Sequence, residues 1–185
     1  MKRLHEILAF NKEFVSNNQF EAYKTSRFPD KKLVIVSCMD TRLSDLLPKA
    51  LNLKNGDAKI IKSAGATVTH PFGSAMRSIL VAIYELQAEE VCVIAHYGCG
   101  MANIQPEKTI QTMIARGVSS DTIDTIKRCG VDLEGWFSGF DSLEESVKQS
   151  VDLIKNHPLI LPSIPVHGLI IDPETGQLDT VVEGY

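Results

Sequence analysis

The chain has 185 residues, close to the size of one compact domain and long enough to bury a core without staples. Hydrophobic residues at 44% and charged residues at 23% exclude the disordered and collagen-like classes. A formal net charge of −4 lacks the basic excess of nucleic-acid binders, so no nucleic-acid partner is expected.

Lys2 and Arg3 could open a signal peptide, but His5, Glu6, Asn11, Lys12 and Glu13 interrupt any apolar stretch behind them. The segment instead reads as a helix over residues 1–24. Leu4, Ile7, Leu8 and Val15 stand near helical spacing, with a break expected at Asn17–Asn18. Continuous apolar runs rich in β-branched residues follow at Leu33–Ser37, Ala58–Ile61, Val91–Ala95 and Val166–Ile171. Such runs suit strands of a parallel sheet covered on both faces. Helical stretches lie between them, at Gly73–Gln87, within Ala102–Arg116, at Ser119–Arg128 and at Ser142–Asn156. Ser142 with Glu145 makes a capping box, and Pro158 marks the stop. A last strand is expected at Leu178–Val182, after a turn at Asp172–Gly176. Purely apolar runs such as Val91–Ala95 are far too short to cross a bilayer, so the chain reads as soluble and cytoplasmic with no membrane partner.

This alternation predicts a single doubly wound α/β domain over residues 1–185: a mostly parallel sheet, helices on both faces, and an N-terminal helical arm over residues 1–27. Such sheets bind ligands beyond the carboxyl ends of their strands, where the strand order reverses. Cys38 ends the first expected strand and His96 ends the third, so both are candidates for one crevice.

In a cytosolic chain, the four cysteines are metal ligands, nucleophiles or buried apolar residues rather than disulfide partners. Cys92 sits in an apolar run and reads as core; Cys129 precedes Gly130 at a helix end and reads as inert. Ser37-Cys38-Met39-Asp40-Thr41-Arg42 offers a thiol, a carboxylate and a guanidinium at alternate positions. His96-Tyr97-Gly98-Cys99-Gly100 offers an imidazole and a thiol three apart, with glycines that permit a tight turn. Either piece alone says little. Together, two thiolates and one imidazole fill three corners of a tetrahedral zinc site and leave the fourth open, which is the catalytic pattern. His5, on the first helix, and His70, in a loop, read as solvated; His157, before Pro158, and His167, in a strand, read as structural. No G-x-G-x-x-G follows the first strand, which sets aside a dinucleotide-binding domain.

The set Cys38-x-Asp40-x-Arg42, Ser63-Ala64-Gly65-Ala66 and His96-x-x-Cys99-Gly100 resembles the β-class carbonic anhydrases. Val166-His167-Gly168, Ile171-Asp172 and Thr175-Gly176 extend the likeness over nearly the whole chain. Met101 and the short length are similar to the compact prokaryotic branch. The resemblance implies one Zn2+ per chain on Cys38, His96 and Cys99, with Asp40 and Arg42 as a catalytic dyad. The implied reaction is reversible hydration of carbon dioxide to bicarbonate and a proton by a zinc-bound hydroxide. It also implies substrate contacts at Gly65 and Ala66, and a homodimer or higher homo-oligomer whose helical arms embrace the partner and roof the cleft. With Arg42 bound, Asp40 is expected to stay off the metal. Two departures bear on the pocket: Ser63 stands where the family often has Asn, and the glutamine of the plant-type branch is missing. They leave room for hydrolysis of CS2 or COS on the same site, or for a weak hydratase. A zinc-binding protein without significant turnover is a separate alternative, against which the retention of Asp40 and Arg42 counts.

Overall fold

The computed structural model describes residues 2–185, and Met1, where the first helix was expected to start, lies outside them. Helix α1 spans Arg3–Ser16. Asn18 then turns left-handed (φ 53°) into a 3-10 turn at Gln19–Tyr23, which is the expected break. No residue of α1 is buried. Its stripe of Leu4, Ile7, Leu8, Phe10 and Val15 is left in the open.

Five strands form one sheet, in the order β2-β1-β3-β4-β5. Strands β1 (Leu33–Cys38), β2 (Ala58–Ser63), β3 (Glu90–His96) and β4 (Val166–Ile171) run parallel. Strand β5 (Leu178–Val182) returns antiparallel on β4 after a turn in which the Asp172 carboxylate accepts the amides of Glu174 and Thr175. β1 lies inside the sheet, with Val34, Ile35 and Val36 fully buried, and its unbroken apolar run reflects burial on both sides.

Helices α2 (Leu43–Ala50) and α3 (Ser74–Tyr84) make the first two crossovers, and α7 (Leu143–Lys155) precedes β4. The path β1-α2-β2 steps one way along the sheet, and β2-α3-β3 steps back past β1. Right-handed crossovers therefore put α2 on one face and α3 and α7 on the other. Gly168 lets α7 close onto β4: a Cβ there would sit 2.6 Å from Val147 Cγ1. Ser142 Oγ caps α7 on the Glu145 amide as expected. The Glu145 carboxylate turns to Lys148 instead, so only half of the capping box forms.

Helix α2 was not expected, because Pro48 lies inside it and removes a backbone donor. Leu43 and Leu47, four apart and both fully buried, offset that loss. Helices α4 (Pro106–Ala115), α5 (Ser120–Arg128) and α6 (Leu133–Phe137) form an excursion between β3 and α7. It has its own small core of Ile110, Ile123 and Leu133. The single turn of α6, with Gly135 inside it, escaped the sequence reading because no helical period fits in five residues. No helix of the described residues is long and apolar enough to cross a membrane.

Candidate metal centre

The strand order reverses between β1 and β3, and the chain brings three ligand atoms together at that point. Cys38 closes β1, His96 closes β3, and Cys99 follows a turn at Gly98, whose φ of 64° favours glycine. Their Sγ and ring-nitrogen atoms lie within 4.8 Å of one another, and all three residues are buried. Among the described residues no other group of three or more His, Cys, Asp or Glu does this.

Three features of the cluster fit a metal. The sulfurs of Cys38 and Cys99 are 3.8 Å apart, and tetrahedral bonds of ~2.3 Å to one ion would separate two sulfurs by about 3.8 Å. His96 Nδ1 lies 2.9 Å from the Tyr97 carbonyl, and as the donor there it leaves Nε2 with a free lone pair. That Nε2 is buried and has no hydrogen-bond partner, a costly state that a cation would relieve. Burial raises the Cys99 thiol above its ordinary value; the Met101 amide opposes the shift and Cys38 adds to it. On balance these surroundings favour the Cys99 thiol, whereas a divalent ion deprotonates its thiol ligands outright.

Asp40 stands beside this cluster, with Oδ2 3.7 Å from His96 Nε2. Arg42 grips it from the same loop. Its Nε donates to Oδ1 at 3.0 Å, its Nη2 to Oδ2 at 2.9 Å, and its backbone N–H to Oδ1 at 2.9 Å. These bonds hold the Asp40 carboxyl well below the usual carboxylate range and raise Arg42 in turn. Nη2 also reaches the Gly98 carbonyl at 3.4 Å, tying the dyad to the second ligand loop.

An open cleft of about 390 Å³ adjoins the cluster, lined by Asp40, Gly65, Cys99 and the apolar side chains of Met39, Met101 and Ile104. Gly65 (φ 71°) reaches this wall, and a Cβ there would come 3.1 Å from Met101 Cγ and Phe140 Cε1. Ala66 is buried behind it and does not line the cleft; Ala64 takes that place. Ser63 donates its hydroxyl to the Thr67 carbonyl and so braces the turn. Met39, Met101 and Ile104 were not singled out as lining residues, since nothing in their spacing marks the far wall of a cleft.

The remaining candidates fall outside the centre. His157 is buried between the Pro71 carbonyl and the Leu159 amide, a structural role. His167 is buried in β4, accepts the Gly184 amide and lies 3.2 Å from Glu90. His5 and His70 are exposed. Cys92 is partly buried, and burial first, with Glu90 second, pushes its thiol up to about 12. Cys129 caps α5 as expected, but it is exposed.

Comparison with known proteins gives a consistent picture. The family model for carbonic anhydrase matches residues 33–178. The chain is 60% identical over 185 residues to a Bacillus subtilis protein named "Putative carbonic anhydrase YtiB", covering 100% of this chain and 99% of that one. It is 27% identical over 158 residues to a carbon disulfide hydrolase of Acidithiobacillus thiooxidans, covering 80% of this chain and 76% of the other. Its fold matches the crystal structure of β-carbonic anhydrase isoform I from Trichomonas vaginalis with a TM-score of 0.88, at 32% identity and full coverage of both chains.

Proposed function

This chain belongs to the β-carbonic anhydrase family, and from that membership we propose that it catalyses the reversible hydration of carbon dioxide to bicarbonate and a proton. The observation that carries the reading is the buried, unpartnered His96 Nε2, grouped with two sulfurs 3.8 Å apart, beside a carboxylate pinned by a guanidinium. Cys38, His96 and Cys99 are the ligands of one zinc ion per chain. When bound, zinc supplies Lewis acidity and lowers the pKa of water towards ~7.

The chain's own residues do the rest. Asp40, kept ionised by Arg42, accepts a hydrogen bond from the attacking O–H and turns its lone pair towards the substrate carbon. Arg42 fixes both carboxylate oxygens and acts only through Asp40. Met39, Met101, Ile104 and Gly65 form a largely apolar wall suited to a small linear molecule without charge. Water adds across one C=O of carbon dioxide: a C–O bond forms as the C=O π bond opens, one O–H bond of the water breaks, and that proton leaves to solvent.

The same wall would accept carbon disulfide, and distant relatives carry that activity in their names. The full-length 60% and 57% matches favour carbon dioxide. Stopped-flow hydration by zinc-loaded protein, beside sulfide release from carbon disulfide, separates the two. Rapid hydration with no sulfide is expected; the reverse would overturn the assignment, and zinc uptake with neither activity would leave a binding protein.

The chain works as a homo-oligomer in this reading. No residue of helix α1 is buried within its own subunit, and Leu4 and Phe10 stay 61% and 64% exposed. An apolar stripe of this kind is kept for another surface.

A further inference from the structure

Lys62 carries a positive charge close to the candidate metal centre and makes no ion pair among the described residues. Six other cations of the chain pair with a carboxylate: Lys24, Lys31, Lys32, Arg42, Lys127 and Lys148. The Nζ of Lys62 instead donates to the backbone carbonyl of Cys38 at 3.1 Å. Lys62 is the penultimate residue of β2, in register with Ser37, so its side chain reaches one residue up the neighbouring strand. Burial lowers its pKa, while the charges of Cys38 and Asp40 oppose that shift. The ammonium thus gives up part of its hydration to sit on this carbonyl.

Cys38 is held from two sides at that point. The amide of Met39 donates to the Ser63 carbonyl at 2.9 Å, and the Cys38 carbonyl receives Lys62. Pairing of β1 with β3 ends at Ser37 and Ile94, so β3 gives Cys38 no pairing partner. A charge-assisted bond here is stronger than one from a neutral donor. It locks the peptide that orients the Cys38 sulfur.

We infer that Lys62 is a positioning residue for Cys38, clamping its carbonyl so that the thiolate is presented to the metal. The inference rests on the reading of Cys38 as a zinc ligand. Groups that orient ligands in this way change metal affinity by ~10- to 100-fold when removed.

The test uses zinc-loaded full-length chain with a colorimetric chelator in excess, and compares wild type, Lys62→Met and Lys62→Arg. Lys62→Met keeps the stem and loses the donor; it should release zinc about tenfold faster, with a melting temperature close to wild type. Lys62→Arg, which keeps a charged donor, should restore release to within about twofold. Hydrogen exchange at the Met39 amide gives a readout without metal: it should quicken in Lys62→Met and recover in Lys62→Arg. Wild-type zinc release and wild-type Met39 protection in Lys62→Met would overturn the inference, as would equal loss in Lys62→Arg. A wild-type chain that takes up no stoichiometric zinc would overturn the ligand reading instead, and Met39 exchange would still decide whether Lys62 clamps the strand end.

Discussion

Replacing Arg42 with alanine separates the proposed chemistry from the proposed metal binding. In the intact site, Asp40 receives one hydrogen bond on Oδ1 from Nε, one on Oδ2 from Nη2, and one on Oδ1 from the Arg42 amide. The truncation leaves only the amide bond. Oδ2, the oxygen 3.7 Å from His96 Nε2, loses its donor, and the carboxylate is free to rotate about the remaining contact. Misplacing a catalytic group by about 1 Å costs on the order of 100-fold, so kcat/KM for hydration should fall by roughly that factor. Among the described residues the Arg42 side chain makes no hydrogen bond to Cys38, His96 or Cys99; beyond Asp40 it reaches only the Gly98 carbonyl, at 3.4 Å. Zinc content should therefore remain at one per chain. The melting temperature should move little, because Arg42 is exposed and Asp40 only partly buried, and ion pairs near the surface stabilise little. Arg42→Lys should recover only a small part of the loss, since an ammonium cannot grip both carboxylate oxygens as the planar fork does. Stopped-flow hydration with a pH indicator, run beside elemental analysis, reads both quantities. Wild-type hydration in Arg42→Ala would refute the dyad, and joint loss of zinc and activity would show that Arg42 serves the metal.

Cys99→Ser should lose most of its zinc, because an oxygen donor replaces one of two thiolates; full zinc by elemental analysis would remove Cys99 from the site. The exposed stripe of α1 should hold two or more copies together at micromolar concentration, and a monomer by light scattering would contradict that. Cys92 should resist iodoacetamide at pH 8.5 while the exposed Cys129 reacts. Its thiol is lifted from 9.0 to about 12, which cuts the thiolate fraction about a thousandfold. The sign follows from that lift. The folded chain keeps a proton that the unfolded chain releases near pH 9, so this group's contribution to stability is intact at neutral pH and lost as pH rises from about 9 towards about 12. Mass spectrometry showing Cys92 alkylated as fast as Cys129 at pH 8.5 would refute the burial argument.

The parallel strands were legible because burial on both faces leaves an unbroken apolar run, and each observed strand lies within about two residues of the expected range. The centre was legible for a related reason. Candidate ligands at strand ends follow directly after such runs, so Cys38 and His96 were marked by position as well as by residue type. What escaped depends on tertiary support. Helix α2 survives an internal proline only because Leu43 and Leu47 are buried beneath it. Ala66 looked equivalent to Gly65 in sequence, but left-handed backbone at both positions turns one onto the cleft and the other into the core. The role of Lys62 could not be read from its neighbours in sequence, because its partner lies 24 residues away across a sheet end.

Cys38 and His96 cap two strands that are adjacent in the sheet but distant along the chain, and Cys99 lies 61 residues from Cys38. An ion shared by these residues is therefore also a crosslink. It closes a long loop that the unfolded chain would otherwise explore freely, and it does so where ladder pairing between β1 and β3 runs out. Ligand that binds only the folded form stabilises it by mass action, by about 2.7 kcal/mol when free metal exceeds its dissociation constant a hundredfold. Metal supply would then govern how much of the chain persists in the cell as well as how much of it is active. Starved of metal, the protein would be lost by unfolding and turnover before it accumulated as an idle enzyme.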